Sequence, residues 1–162
     1  MRTDWVCRDD CKVLLRLLTP SNALAMEVAL DTGLRIGDVL ALKKEQLHTH
    51  MRVLERKTGK KKRVYIPKDL LWRLVVHSGE VWVFPGAIDP VGKHRTRQAV
   101  WKDVKRAAKA LRIRDNVSCH SARKVYAVDI YRRDGLAAAQ AALGHDNVNT
   151  TLIYLASELC RG

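Results

Sequence analysis

The chain has 162 residues, the usual length of one domain with a single hydrophobic core. Apolar residues make up 47% and charged residues 29%, a globular composition that excludes a disordered chain, and no apolar run reaches the ~20 residues of a bilayer-spanning helix. The 30 Lys and Arg residues against 17 Asp and Glu residues give a net charge of +13, which favours a polyanionic partner, most often nucleic acid.

Helical periodicity dominates the N-terminal part of the chain. Three segments have apolar residues at helical spacing, at 11–18, 22–30 and 35–42. We expect Pro20 to end the first helix, Ser21 to cap the second, and Gly33 to end the second.

Residues 51–66 have a different pattern, in which apolar positions alternate on both sides of the sequence KTGK. This alternation predicts a β-hairpin with Gly59 in its turn. A helix is expected next at 68–78, and the short apolar run at 81–84 is a candidate strand.

The remainder of the chain returns to helical periodicity. Three helices are predicted here, at 94–111, 120–133 and 136–143. Gly135 and Gly144 are the expected end points, and Asn149 or Thr150 is the candidate cap of a last helix that carries Tyr154. We therefore expect an α+β fold that is mainly α-helical and contains a small antiparallel sheet.

His120 and Arg123 lie three residues apart on a predicted helix, so both side chains project from one face. A guanidinium holds phosphate oxygens bidentately and an imidazole exchanges protons, so the pair is suited to a phosphodiester. By itself the pair is equally consistent with a solvated basic face.

Arg35 follows the helix end at Gly33 in the sequence TGLRIGD, and Asp38 lies one turn later, where its carboxylate can orient the guanidinium. An ordinary surface ion pair is the plainer interpretation.

Lys57 stands at the mouth of the predicted hairpin. The turn and second strand add four basic residues that could enter a DNA groove, Lys60, Lys61, Lys62 and Arg63. A charged sheet edge that resists aggregation would have the same composition.

The segment LGHDNVNTTLIYL places His145 on a turn and Tyr154 near the start of the last helix. A phenol titrates near 10 in water, so as a nucleophile it needs nearby positive charge or a base. The positive charge and the base would come from Arg35, Arg123, Lys57, His120 and His145. Taken alone, Tyr154 could equally be a half-buried packing residue.

The sequence contains four cysteines, Cys7, Cys11, Cys119 and Cys160. Cys7 and Cys11 lie one helical turn apart, but His48 and His50 have no recognised spacing from them as further zinc ligands. The histidine adjacent to Cys119 points away from it on a helix, which argues against thiol catalysis. We expect free thiols and no metal site.

Together these motifs resemble the catalytic domain of the tyrosine recombinases, the phage integrase family. TGLRIGD matches the segment with the family's first Arg, KTGK the hairpin Lys, HSAR the H-x-x-R motif, LGH the second His and TTLIY the nucleophile. The matches run in the family's order, from about residue 20 to residue 155.

The resemblance implies that Tyr154 attacks a DNA phosphodiester, forms a 3′-phosphotyrosyl bond and releases a 5′-hydroxyl. Arg35, Arg123 and His145 would bind the nonbridging oxygens as charge develops in the transition state. Because guanidinium groups take the place of a metal, the resemblance implies neither a metal nor any other cofactor.

The remaining roles also follow from the resemblance. Lys57 would protonate the leaving 5′-oxygen, and His120 would serve in proton transfer involving the tyrosine. Asp38 would position other residues of the site without contacting the DNA. In this sequence Ala122 and Lys124 replace the residues that the family often has beside the motif arginine.

The resemblance implies double-stranded DNA as the partner and site-specific recombination as the activity. It also implies a homo-oligomer on DNA, with a tetramer as the candidate assembly, and a cytoplasmic, nucleoid-associated location. We expect residues 1–162 to be one catalytic domain, with the N-terminal core-binding domain absent from this chain. Two alternatives remain, a type IB topoisomerase-like enzyme and a DNA-binding module that does not cut. A structural RNA-binding domain would explain the charge without a role for Tyr154.

Overall fold

The computed structural model describes residues 7–113 and 116–159, which form helices around a small sheet. In chain order the elements are α1 (Arg8–Leu17), α2 (Pro20–Thr32), α3 (Ile36–Leu40), β1 (His50–Leu54), β2 (Lys61–Tyr65), α4 (Lys68–His77), α5 (Arg97–Ala110), α6 (Cys119–Leu143) and α7 (Val148–Leu159). The two strands form an antiparallel sheet. The predicted α+β fold is therefore confirmed.

Helix α2 lies at the centre of the core. Ala25, Val28 and Ala29 are fully buried, and α2 packs against α1, α3, α4, α5 and α6. Buried residues recur along the whole length of α2, which is typical of a central helix. Packing against these helices therefore fixes the position of the C-terminal end of α2 and of the residues that follow it.

Glycine ends both helices that lead into the later site. Gly33 follows α2 with φ 65°, and Gly144 follows α6 with φ 66°. These left-handed conformations let a backbone N–H bond to the last turn of each helix, as predicted for both positions. Gly135, at φ 84°, breaks α6 within its length, which confirms the predicted boundary between two helical segments.

The predicted start of α2 is wrong. Pro20 is the first helical residue and Thr19 occupies the cap position, while the Ser21 hydroxyl contacts His77 Nε2 at 3.1 Å. Proline is favourable at the first helical position because its missing N–H would have no partner within the helix there.

The predicted cap of the last helix is also wrong. Helix α7 begins at Val148, and the Asn147 side-chain oxygen accepts the backbone N–H of Asn149 at 2.8 Å. An asparagine at the cap position satisfies one of the free N–H groups of the first turn. Asn147 therefore does what we expected of Asn149 or Thr150.

The hairpin is confirmed, with Gly59 in the turn at φ 68°. Its register pairs Met51 with Val64 and Val53 with Lys62. Met51, Val53 and Val64 are buried on one face, because alternate residues of a strand face opposite sides of a sheet.

The strand predicted at 81–84 is wrong. Trp82 makes an isolated antiparallel bridge with Lys43, and the segment forms no strand. Val83 and Phe84 are nevertheless fully buried, so the apolar run reflects burial of an irregular segment in the core. Short apolar runs do not distinguish these two cases.

No helix within residues 7–113 and 116–159 is long and apolar enough to cross a membrane. Cys160, expected to be a free thiol, lies outside the described residues.

Candidate active site

Among residues 7–113 and 116–159, Arg123 is the largest fully buried side chain, with 1% of its surface exposed. Its Nη1 donates to the Gly33 carbonyl, and its Nη2 donates to the Leu143 carbonyl at 2.7 Å. Both carbonyls belong to the C-terminal ends of helices, α2 and α6, where the backbone has partial negative charge. The two glycine-terminated helices thus fix the guanidinium between them.

Glu55 joins Arg123 to Arg35. The Glu55 Oε1 atom lies 2.9 Å from Arg35 Nη1 and 3.4 Å from Arg123 Nη1, and the Thr58 hydroxyl donates to Oε2 at 2.9 Å. Burial raises the pKa of Glu55, but the hydrogen bonds from Thr58 and Arg35 outweigh it, so this pKa lies below its ordinary range. One ionised carboxylate therefore holds two guanidinium groups together.

His145 and Tyr154 meet across the turn between α6 and α7. Their ring centroids are 5.1 Å apart in an edge-to-face arrangement, and His145 Nδ1 lies 3.1 Å from the Thr151 hydroxyl. The Tyr154 phenol is close enough to Arg123 to act on the pKa of its guanidinium. The structure thus places the Tyr154 ring against the imidazole and within electrostatic range of the buried arginine.

The His145 imidazole is held in its neutral form. Desolvation by burial, followed by the charges of Arg123 and Arg35, lowers its pKa to about 4. The Thr151 hydroxyl can donate to Nδ1, which leaves the ring proton on Nε2. A neutral imidazole with this tautomer donates a hydrogen bond without adding another positive charge.

His120 lies in the first turn of α6 and is exposed to solvent. Desolvation of part of its ring, together with Arg123 and Arg35, lowers its pKa below the ordinary value. The imidazole can therefore act as a proton acceptor near neutral pH. His120 is thus exposed on the same helix, α6, whose Arg123 is buried.

Asp38 is buried, but it is not the carboxylate that pairs with Arg35. Its Oδ1 accepts the backbone N–H of Arg56 at 3.0 Å, next to the hairpin turn. Glu55 occupies the place beside Arg35 that we expected Asp38 to take. Asp38 therefore anchors the segment that leads to Lys57.

The basic residues of the hairpin fall into two groups. Exposed positions on the turn and on the outer face of β2 hold Lys57, Lys60, Lys61 and Arg63. The Lys60 ammonium pairs with the Asp146 carboxylate on the turn before α7. Lys62 alone among these five turns inward, and its Nζ donates to the Thr32 carbonyl at 2.8 Å.

Neither cysteine nor metal chemistry has support within the described residues. Burial raises the pKa of Cys119 to about 11 and that of Cys11 to about 12, so both are held as thiols. The Cys7 sulfur accepts the Asp10 N–H at the start of α1. No group of three metal-binding side chains occurs among residues 7–113 and 116–159.

Sequence analysis missed Glu55 and Thr151 as residues of the site, and it missed that Lys62 is partly buried and points inward. Glu55 belongs to no recognised sequence motif. Only the hairpin register shows which lysine of residues 60–62 points inward. Thr151 follows an identical residue, so helix phase alone separates the buried Thr151 from the exposed Thr150. The alternation of the hairpin was the one available signal for Lys62.

The site combines two fixed guanidinium groups, a neutral imidazole and a phenol within one small region. Arg35 and Arg123 could each donate to an oxygen of a phosphate group, and the neutral His145 could add a further donor. A phenol oxygen beside such donors is suited to attack on phosphorus, because charge developing on the oxygens meets preorganised donors.

Comparison with known proteins identifies the family of the chain. The sequence model of the phage integrase family matches residues 8–159. The tyrosine recombinase XerD of Lacticaseibacillus casei is 31% identical over 142 residues, which cover 79% of this chain and 47% of that protein. The chain spans about half the length of the curated relatives that it matches.

Solved structures share the fold at low sequence identity. The lambda integrase catalytic core aligns with a TM-score of 0.75 and 21% identity, covering 89% of this chain and 92% of the other. A lambda integrase dimer bound to a COC′ core site aligns with a TM-score of 0.79 and 21% identity, covering 95% of this chain and 48% of the other. The similarity is therefore concentrated in the catalytic core of that protein.

Proposed function

We propose that this chain, which belongs to the phage integrase family, cleaves and rejoins DNA strands through a covalent bond to Tyr154. The observation that carries the proposal is the contact of the Tyr154 and His145 rings within electrostatic range of the buried Arg123. Site-specific recombination is the task that we assign to the activity, and the net charge of +13 supports DNA as the substrate.

In the cleavage step the Tyr154 phenol oxygen attacks phosphorus, the bond from phosphorus to the 5′-oxygen breaks, and a 3′-phosphotyrosyl bond forms. Arg35, Arg123 and His145 bind the nonbridging oxygens. Their donors stabilise the charge of the pentacovalent transition state, and loss of one such donor typically costs about 10²-fold or more in rate. Rejoining is the reverse attack by a 5′-hydroxyl, so the bond energy is retained.

Two proton transfers complete the step. His120, a proton acceptor at neutral pH, takes the proton of the attacking phenol, directly or through water. The leaving 5′-oxygen receives a proton from a lysine of the hairpin, a role that the family resemblance assigns to Lys57. Asp38 supports this segment through the Arg56 backbone.

DNA contact and assembly extend beyond the site. The exposure of Lys60, Lys61 and Arg63 supports contact of these side chains with DNA phosphates, and Lys62 lies on the same hairpin. We further propose that copies of this chain assemble on double-stranded DNA, as a tetramer in the complete reaction, and that the protein resides on the nucleoid.

Covalent trapping tests the proposed function. The protein is incubated with a nicked suicide duplex without added metal, and a denaturation-resistant protein–DNA adduct is measured. We expect the adduct with the unmodified chain and none with Tyr154→Phe. Tyr65→Phe is the matched control, because Tyr65 is exposed on β2 and should leave the adduct unchanged.

The same assay separates the alternatives. An adduct that persists in Tyr154→Phe would overturn the assignment of the nucleophile. DNA binding that weakens with salt but yields no adduct on any duplex would favour a module that does not cut. Relaxation of supercoiled DNA without any preferred site would favour a topoisomerase-like enzyme.

A further inference from the structure

A cleft of about 350 Å³ lies where α3, the end of β1 and the segment 81–94 meet, and we call it the Trp82 cleft. The buried side chains of Leu42 and Val53 line it together with the half-buried rings of Trp82 and His94. A concave site of this size, with apolar and aromatic walls and a few polar groups, is typical of small-ligand binding. Strand cleavage as proposed above makes no use of this cleft.

We propose that the Trp82 cleft binds a nucleotide whose base has an exocyclic amino group, as in cytosine, adenine or guanine. The base stacks on Trp82 and directs its amino group to His94, while the phosphate binds Lys43 and Arg56 at the rim. A free mononucleotide and an unpaired nucleotide of a DNA strand both offer this chemistry.

The Trp82 ring is held in place as one wall of the cleft. Its Nε1 donates to the Val91 carbonyl at 3.0 Å, and its backbone forms the isolated bridge with Lys43. The His94 ring meets the indole edge to face, with the centroids 5.2 Å apart. Aromatic side chains stack with every nucleobase, because each base has a π-face. A fixed indole beside apolar side chains therefore favours a planar ring as the ligand.

His94 presents a hydrogen-bond acceptor. Its Nδ1 lies 2.8 Å from the Arg95 carbonyl oxygen, so in the neutral ring Nδ1 carries the proton and donates it there. Nε2 is then an acceptor, and Arg56 Nη1, at 3.5 Å, is too distant to engage it strongly. The amino groups of cytosine, adenine and guanine are donors, whereas thymine has a carbonyl acceptor in the corresponding place.

Asp38 gives the cleft the same preference. It is buried and lines the cleft, and its Oδ1 accepts the Arg56 backbone N–H. Within residues 7–113 and 116–159 its Oδ2 has no hydrogen-bond partner. The negative charge of a buried carboxylate attracts donor groups and repels carbonyl oxygens. The inner part of the cleft therefore favours the amino edge of a base.

The rim has the opposite charge. Lys43 and Arg56 are exposed and both line the cleft. Lys43 Nζ lies 5.9 Å from the centroid of the Trp82 ring, and Arg56 Nη1 lies next to His94, so each cation adjoins a ring that contacts the base. Glu45 lies 4.0 Å from Lys43 Nζ, but this pair is exposed and therefore weak. The rim is thus suited to a phosphate group.

NMR titration tests the proposal. The chain has four tryptophans, and the indole N–H signal of Trp82 is assigned by its loss in Trp82→Phe. We titrate dCMP, dAMP, dGMP and TMP, with inorganic phosphate as the probe for an anion alone. The Trp82 signal should shift saturably with the first three, and TMP should bind roughly fivefold more weakly or less. The signal of the exposed Trp101, which has Lys105 over its ring, is the matched control and should not move.

Substitutions identify the contacts by calorimetric titration with dCMP. Trp82→Leu removes the stacking surface and should weaken binding roughly tenfold or more. Arg56→Ala removes a charged donor and should weaken binding roughly tenfold, which keeps the test valid if Trp82→Leu folds poorly. Trp101→Leu and Arg52→Ala are the matched controls, because both residues are exposed and neither lines the cleft. They should leave the affinity for dCMP unchanged.

Two duplexes distinguish a free nucleotide from one within DNA. One duplex contains a single unpaired cytidine and the other is fully paired, and the Tyr154→Phe chain is used so that neither is cut. A Trp82 shift with the first duplex and not with the second identifies an unpaired nucleotide of DNA as the ligand. A shift with dCMP, but no difference between the duplexes, identifies a free nucleotide.

Three results would overturn the proposal. The Trp82 signal could fail to move with any nucleotide at millimolar concentration. Inorganic phosphate could produce the same shift with the same affinity as dCMP, which would reduce the cleft to an anion site. Arg52→Ala could weaken dCMP binding as much as Arg56→Ala, which would indicate a general effect of charge. None of these measurements requires strand cleavage, so they test the cleft independently of the Tyr154 site.

Discussion

Arg35 and Glu55 form a partly buried ion pair in which Nη1 lies 2.9 Å from Oε1, and the same oxygen lies 3.4 Å from Arg123 Nη1. The side chain of Glu55 is 2% exposed and that of Arg123 is 1% exposed. Two like charges are held at this spacing because a carboxylate lies between them. Glu55 thus prepares the arginine pair before any phosphate binds.

Glu55→Gln tests this relationship through stability. The substitution keeps the size of the side chain but removes the charge that compensates Arg123, and breaking a buried pair costs about 3–5 kcal/mol. We expect the free energy of unfolding in urea to fall by about that amount. Glu27→Gln, which alters the exposed Arg73 pair, should cost about 1 kcal/mol or less. Equal losses in the two variants would contradict the role of Glu55.

Thr151→Val tests the orientation of the His145 ring. Valine has nearly the shape of threonine but cannot contact Nδ1, which lies 3.1 Å from the Thr151 hydroxyl. One lost hydrogen bond is worth about 1 kcal/mol, so we expect adduct formation to slow roughly fivefold to tenfold. The exposed Thr150 is the matched control, and Thr150→Val should leave the rate unchanged. A similar effect of both substitutions would point to α7 itself rather than to His145.

The motif residues were predictable because glycines, which are favoured at helix ends and tight turns, lie beside them. Gly33 and Gly144 mark the ends of α2 and α6. Carbonyls at these two helix ends accept hydrogen bonds from Arg123, and His145 directly follows Gly144. The hairpin was predictable from alternation and Gly59. Each of these signals is local, so a single sequence carries it.

The contacts between distant elements were not predictable. Glu55 becomes the partner of Arg35 only when the hairpin packs against the end of α2, and no local pattern specifies that meeting. Lys62 differs from Lys61 only through the strand register, which depends on where the turn closes. The apolar run at 81–84 fits a buried irregular segment as well as a strand, because both need the same burial.

Gly33→Ala tests the close approach of α2 to α6. A Cβ at Gly33 would lie 2.3 Å from Tyr126 Cδ1, and the residue has φ 65°. We expect a loss of about 1–2 kcal/mol from the left-handed conformation and a further ~1–3 kcal/mol from the forced shift of the ring. Gly59→Ala is the matched control, since Gly59 has φ 68° with no atom within 4 Å of the added carbon. Urea unfolding should show the larger loss for Gly33→Ala, and equal losses would contradict the packing argument.

The neutral state of His145 predicts an acid dependence of stability. Burial and the charges of Arg123 and Arg35 lower its folded-state pKa to about 4, whereas an unperturbed imidazole titrates near 6.5. Between these values the unfolded chain binds a proton that the folded chain does not, so the contribution of His145 is fully present above about pH 6.5 and is lost as the pH falls towards 4. We expect the difference in unfolding free energy between the unmodified chain and His145→Gln to be constant above pH 7 and to shrink steadily below pH 6.5. Urea unfolding at pH 8, 6, 5 and 4 measures it, and a difference that stays constant down to pH 4 would show that the imidazole is not held neutral by the arginine pair.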